Sequence, residues 1–212
     1  MRALIHDLGA EVHTSRDGPA LRIEITLSDR AQLGAQFLGW EMATAVAAHV
    51  LGVHPFNQPN VTESKLNTAR ALERGQKPGR TDSADAFHAW LDGIRPGDYA
   101  AVVAFSPQKE ETDLRLVALQ RALGRACEVA VTTGYGPRYL HSTGQLHKGG
   151  PPTGHYLQVV EGAAEDVAIP GVEYGFARLI AAQAAGDSEA LRARGRPIVR
   201  VGWDLLEQEY GV

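Results

Sequence analysis

The sequence is short of cysteine, of long apolar runs and of excess positive charge. Cys127 is its only cysteine, which excludes an internal disulfide and makes a reducing cytoplasm the expected setting. The first residues hold no apolar run of the length a signal peptide or membrane span needs, so no membrane association is expected. Lysine and arginine number 21 against 25 aspartates and glutamates, a formal net charge of -4. A general attraction to nucleic acid or anionic lipid is therefore not expected, and any affinity for phosphate must be local. His141, His147 and His155 have no carboxylate or second cysteine at a ligand spacing, so neither a metal nor another cofactor is expected. There is no internal repeat and no low-complexity tail. What remains is a chain of 212 residues, long enough to bury the core of one α/β domain or of two small subdomains.

Periodicity supplies the element order. Leu21, Ile23, Ile25 and Leu27 alternate with Arg22, Glu24 and Thr26, the pattern of a strand with one wet face at a sheet edge. Leu33, Phe37, Trp40, Ala43, Ala47 and Leu51 recur at helical spacing behind the capping residues Ser28 and Asp29, and Gly52 stops the run. Leu33, Phe37 and Trp40 share one face and are expected in a core. Asn60 and Glu63 form a capping box for a second helix ending near Arg74. A basic, Gly- and Pro-containing loop follows from Gln76 to Thr81, then a short helix from Ser83 to Leu91. The apolar run Tyr99 to Phe105, the helical pattern Glu111 to Ala126 and the β-branched run Glu128 to Thr132 predict a parallel strand–helix–strand crossover. A glycine-rich segment from Gly134 to Gly154, a strand His155 to Val160, a helix Tyr174 to Ala185 and a strand Pro197 to Val201 complete the reading. The fold class is α/β, a mostly parallel sheet flanked by helices, with subdomains at 1–75 and 76–212.

Two segments carry residues suited to chemistry. Phe56-Asn57-Gln58-Pro59-Asn60-Val61-Thr62-Glu63-Ser64-Lys65 places the Gln58 amide and the Lys65 ammonium either side of a helix start, where unpaired backbone amides favour a negative ligand. A phosphate, a carboxylate or an enediolate would each suit that arrangement, and so would an ordinary solvated helix start. In the glycine-rich segment, His141 and His147 supply protonatable groups and Lys148 a fixed charge. Cys127 precedes an expected buried strand and reads as a small core residue, and Arg192 to Arg196 as a solvated helix end.

The first segment resembles the C-terminal signature of the glucose-6-phosphate isomerases, with Phe56, Asn57, Gln58, Val61 and Lys65 in register, Asn60 in place of a glycine and Thr62 in place of a glutamate. Leu38 to Val46, Gly52 to Phe56 and the run Gly136 to Pro151 are similar to the isomerase half of bacterial bifunctional transaldolase/glucose-6-phosphate isomerases. The resemblance implies aldose-ketose isomerisation of a sugar phosphate in glycolysis and gluconeogenesis, through ring opening and an enediolate. It assigns Lys65 to the ring oxygen and hydroxyls and His141 to ring opening, with His147 as the alternative acid. Gln58, Gln145, His147 and Lys148 become substrate contacts.

The resemblance also defines what is missing. The family's proton-transferring glutamate stands in a Glu-Ser-x-Gly-Lys-like segment that this sequence does not contain, and Glu41, within the long helix, is a weak substitute. Met1 to Gly9 looks like the tail of a helix from a preceding isomerase subdomain. The expectation is a C-terminal part or subunit that needs a complementary isomerase/transaldolase polypeptide, or a homodimer, to be active. The alternative is a non-catalytic sugar-phosphate-binding or assembly module.

Overall fold

The computed structural model describes residues 11–17, 20–73, 81–162 and 165–212. The reading of Met1 to Gly9 and most of the Gln76 to Thr81 loop lie outside the described residues. The chain divides into two compact units, Met1–Asn57 and Gln58–Val212. The boundary falls ahead of the second helix and not near residue 75, because that helix packs along a helix of the larger unit.

In the first unit, β1 (Glu11–Asp17) and β2 (Ala20–Thr26) form an antiparallel pair, so the alternation at Leu21 to Leu27 marks one strand of a two-stranded ribbon. Helix α1 (Ala31–Leu51) ends where Gly52 adopts a left-handed conformation, φ 68°, that a side chain would resist. Leu33, Phe37 and Trp40 are exposed on it, at 47%, 62% and 39%, contrary to the core expected of them. Apolar residues surround α1 on every side, and helical spacing alone does not say which side is covered.

The second unit is built on a parallel sheet of order β4-β3-β5-β6, comprising β3 (Tyr99–Phe105), β4 (Ala130–Tyr135), β5 (Gly154–Val160) and β6 (Ile198–Val201). Its helices are α2 (Pro59–Glu73), α3 (Ala84–Asp92), α4 (Glu110–Cys127), α5 (Gly144–Gly149), α6 (Phe176–Ala193) and α7 (Trp203–Tyr210). The unbroken apolar run of β3 has a direct cause: both of its faces are covered. Ala100, Val102 and Ala104 join a core with Phe87 and Trp90 of α3, Leu116, Leu119 and Leu123 of α4, and Leu206 of α7. The alternate residues Val103 and Phe105 pack with Tyr139 and Ala184, and Ala101 packs with Tyr156 and Leu191. Burying the Val, Leu and Phe side chains among these stabilises the unit by about 1.5–3 kcal/mol each.

Local chemistry sets several boundaries. Ser83 caps α3 by accepting from the Ala86 amide, 3.2 Å, as its position predicts. The outer edge of β6 is closed: Arg200 donates its amide to Asp82 Oδ2 at 2.8 Å and accepts from the Asp82 amide at 2.6 Å. The glycine-rich segment holds more regular structure than its composition predicts, a 3-10 turn at Arg138–His141 followed by α5. Its glycines serve close packing. A Cβ on Gly136 would collide with the Phe105 ring. Helix α7 goes unmarked in the sequence reading, and α6 runs eight residues beyond Ala185.

Candidate functional site

The strand order places β3 and β5 side by side with their connections leaving in opposite directions, the arrangement at which parallel sheets open a crevice. The β4-to-β5 connection crosses that point, and its 3-10 turn and α5 supply one wall of a cleft of about 170 Å³. Asn60, Lys65 and Thr68 of α2 and Gln183 of α6 line it together with Pro137, Leu140, His141, Gly144 and Lys148. Among the described residues no aspartate or glutamate lines this cleft. A space walled by two ammonium groups, an imidazole, two amides and a hydroxyl suits a compact anion with hydrogen-bond acceptors.

Three contacts fasten α2, the helix that carries Lys65. At its start, Gln145 Oε1 accepts from the Asn60 amide at 3.1 Å while Gln145 Nε2 donates to Asn60 Oδ1 at 2.7 Å. One of the orphan N–H groups of a helix start is thereby satisfied from α5. The helix begins at Pro59, so Asn60 lies inside its first turn, and Asn60 Nδ2 donates to Glu63 Oε2 at 3.2 Å. Glu63 in turn accepts from both terminal nitrogens of Arg194, one at 2.7 Å. The Arg194 guanidinium holds the Glu63 carboxyl below the usual carboxylate range, with Asn60 assisting. At the far end, Arg178 Nη2 donates to the Leu72 carbonyl at 3.0 Å. Between these ends α2 crosses α6 at Gly186, where a Cβ would stand 2.9 Å from the Thr68 amide nitrogen.

Lys148 is only 3% exposed, and its Nζ lies 2.6 Å from Asp187 Oδ1 of α6. Asp187 Oδ2 accepts from the Tyr139 hydroxyl. Burial and the Asp187 charge push the Tyr139 phenol well above its ordinary range, so it stays a donor. Arg196 Nη2 donates to the Lys148 and Gly150 carbonyls at 3.3 and 2.5 Å, tying down the end of α5.

Of the residues singled out from sequence, Lys65, His141 and Lys148 meet in the cleft, with Lys65 and His141 exposed. Gln58, Gln145 and His147 are not among its lining residues. Gln58 is exposed ahead of α2, and the Gln145 amide is engaged with Asn60. His147 is 3% exposed, its ring 4.9 Å from that of Tyr156 and 5.6 Å from that of Tyr139. Burial, and then the Lys148 charge, lower its imidazole to about 4, so it is neutral near pH 7. His155 sits elsewhere, 3.2 Å from Asp98, and no cluster of three metal-ligating side chains occurs among the described residues. Sequence reading misses Thr68, Gln183 and Asp187. Thr68 stands three residues after Lys65 on the same helix, and that spacing is its only signal.

A glucose-6-phosphate isomerase from Mycoplasmopsis pulmonis (strain UAB CTIP) is 39% identical over 56 residues, 26% of this chain and 13% of the isomerase. The chain thus matches only a small part of that relative's length. A hypothetical protein from Thermus thermophilus, TT0462, aligns with a TM-score of 0.44 at 20% identity, covering 66% of this chain and 38% of the other. No family model matches. Among the described residues no helix is long and apolar enough to cross a membrane.

Proposed function

We propose that the cleft binds the phosphate-bearing end of a sugar phosphate, and that the chain is the C-terminal part or a subunit of a cytoplasmic isomerase of the glucose-6-phosphate type. The observation that carries this reading is the lining itself: Lys65, Lys148 and His141 converge with Asn60, Thr68 and Gln183, and among the described residues no carboxylate joins them. The 56-residue similarity to a glucose-6-phosphate isomerase supports the same class of ligand. In this reading the exposed Lys65 and His141 act on the ring oxygen and hydroxyls where the sugar leaves the cleft, while the buried Lys148 offers an oriented N–H donor to the phosphate. The volume of about 170 Å³ falls below the roughly 300–1,000 Å³ usual for a whole small-molecule site, so the sugar end extends beyond the cleft.

That no carboxylate lines the cleft among the described residues also favours a second reading, a sugar-phosphate-binding module without isomerase activity, since proton transfer between carbons needs a base. In the first reading a complementary isomerase polypeptide, or a second copy, brings that base. Calorimetry with 6-phosphogluconate on the native chain and Lys65→Ala tests binding: the variant is expected to bind about tenfold more weakly with unchanged thermal stability. A coupled assay of fructose 6-phosphate conversion, with and without the product of the neighbouring reading frame, separates the two readings. Binding without turnover in every combination supports the module, and no binding at all rejects both.

A further inference from the structure

Lys148 reaches the cleft from a nearly dry position, and the group that holds it there does not line the cleft. Its ammonium carries three N–H donors, and Asp187 is the only hydrogen-bond partner of Nζ among the described residues. Asp187 is fully buried in α6, and its second oxygen is taken by Tyr139, itself 4% exposed. The carboxylate therefore has one oxygen fixed by a phenol on the 3-10 turn and the other fixed to the lysine. A lysine on its four-carbon stem otherwise samples many directions.

We infer that Asp187, clamped by Tyr139, is the positioning residue that holds the Lys148 ammonium at the cleft wall with its remaining N–H donors directed to a bound anion. The inference rests on the anion-binding reading above and deepens it. The pair is nearly neutral as a unit. Its contribution to a ligand is thus a short, oriented hydrogen bond, and the long-range attraction comes from Lys65 and from His141 when protonated. Phosphate oxygens suit this division because one group offers several acceptors in a compact tetrahedron.

A merely structural ion pair would affect folding and leave affinity alone, and the part-buried His155–Asp98 contact, no part of which lines the cleft, supplies the comparison. Inorganic phosphate binding is measured by calorimetry on the native chain and on Asp187→Asn, Tyr139→Phe and Asp98→Asn, each kept below its unfolding transition. In parallel, nitrogen-15 spectra follow the Lys148 ammonium during the phosphate titration. Asp187→Asn is expected to weaken phosphate binding about tenfold or more and Tyr139→Phe about threefold. Asp98→Asn keeps native affinity, and the Lys148 signal shifts with phosphate in the native chain and is lost in Asp187→Asn. Native affinity in Asp187→Asn or in Tyr139→Phe overturns the assignment, and the second variant decides if the first does not fold. Failure of the native chain to bind phosphate or 6-phosphogluconate rejects the functional reading and takes this inference with it.

Discussion

Replacing Gly186 by alanine opposes two effects whose balance the structure decides. Within a helix the change removes backbone freedom from the unfolded chain and favours folding by about 1 kcal/mol. At this position the new Cβ would stand 2.9 Å from the Thr68 nitrogen, 3.1 Å from the Asn67 carbonyl carbon and 3.3 Å from the Asn67 Cβ. Two of those atoms are backbone of α2, so no side-chain rotation relieves the contact and the helices must separate. Overpacking of this kind costs about 1–3 kcal/mol, and the upper half of that range applies because α2 is held at both ends. The net expectation is a loss of about 1–2 kcal/mol, or roughly 2–8 °C in midpoint for a chain of this size. Gly124 in α4 is the control, since a Cβ there meets nothing closer than 3.8 Å and alanine should stabilise the same unit by up to about 1 kcal/mol. Thermal unfolding followed by circular dichroism reads both. Opposite signs uphold the packing account, and an equal rise in both variants refutes it.

Gln145→Ala removes both bonds to Asn60 and leaves an α2 amide without its partner, so a loss of about 1–2 kcal/mol in urea unfolding is expected. Phosphate affinity should fall as well, through displacement of Lys65, although Gln145 lines no part of the cleft. His147 titrates near 4 in the fold and near 6.5 when unfolded, so the unfolded chain binds more protons between those values. Stability is full above about pH 6.5 and declines by up to roughly 3 kcal/mol as pH falls towards 4, a slope that His147→Phe should flatten in pH-dependent denaturation.

Patterns confined to one element were legible in the sequence. Strand β3 could be read because a strand covered on both faces is apolar throughout, and α3 because a Gly- and Pro-containing loop precedes it. Lys65, His141 and Lys148 could be singled out by residue type and by resemblance to a family. Side-chain direction was not legible. Nothing local distinguishes His141, exposed at the end of a 3-10 turn, from His147, enclosed by tyrosine rings six residues later. Gln183 and Asp187 lie in a helix of small residues, and they matter only because α6 crosses α2 within reach of the β4-to-β5 connection. Helix α7 escaped for a similar reason: it is short, and Leu206 and Trp203 acquire meaning only against the sheet.

The boundary at Gln58 bears on how the molecule can be handled as genetic material. Because α2 packs along α6, every described residue that lines the cleft is encoded downstream of that point. A gene segment beginning at Gln58 would carry that lining as one heritable block.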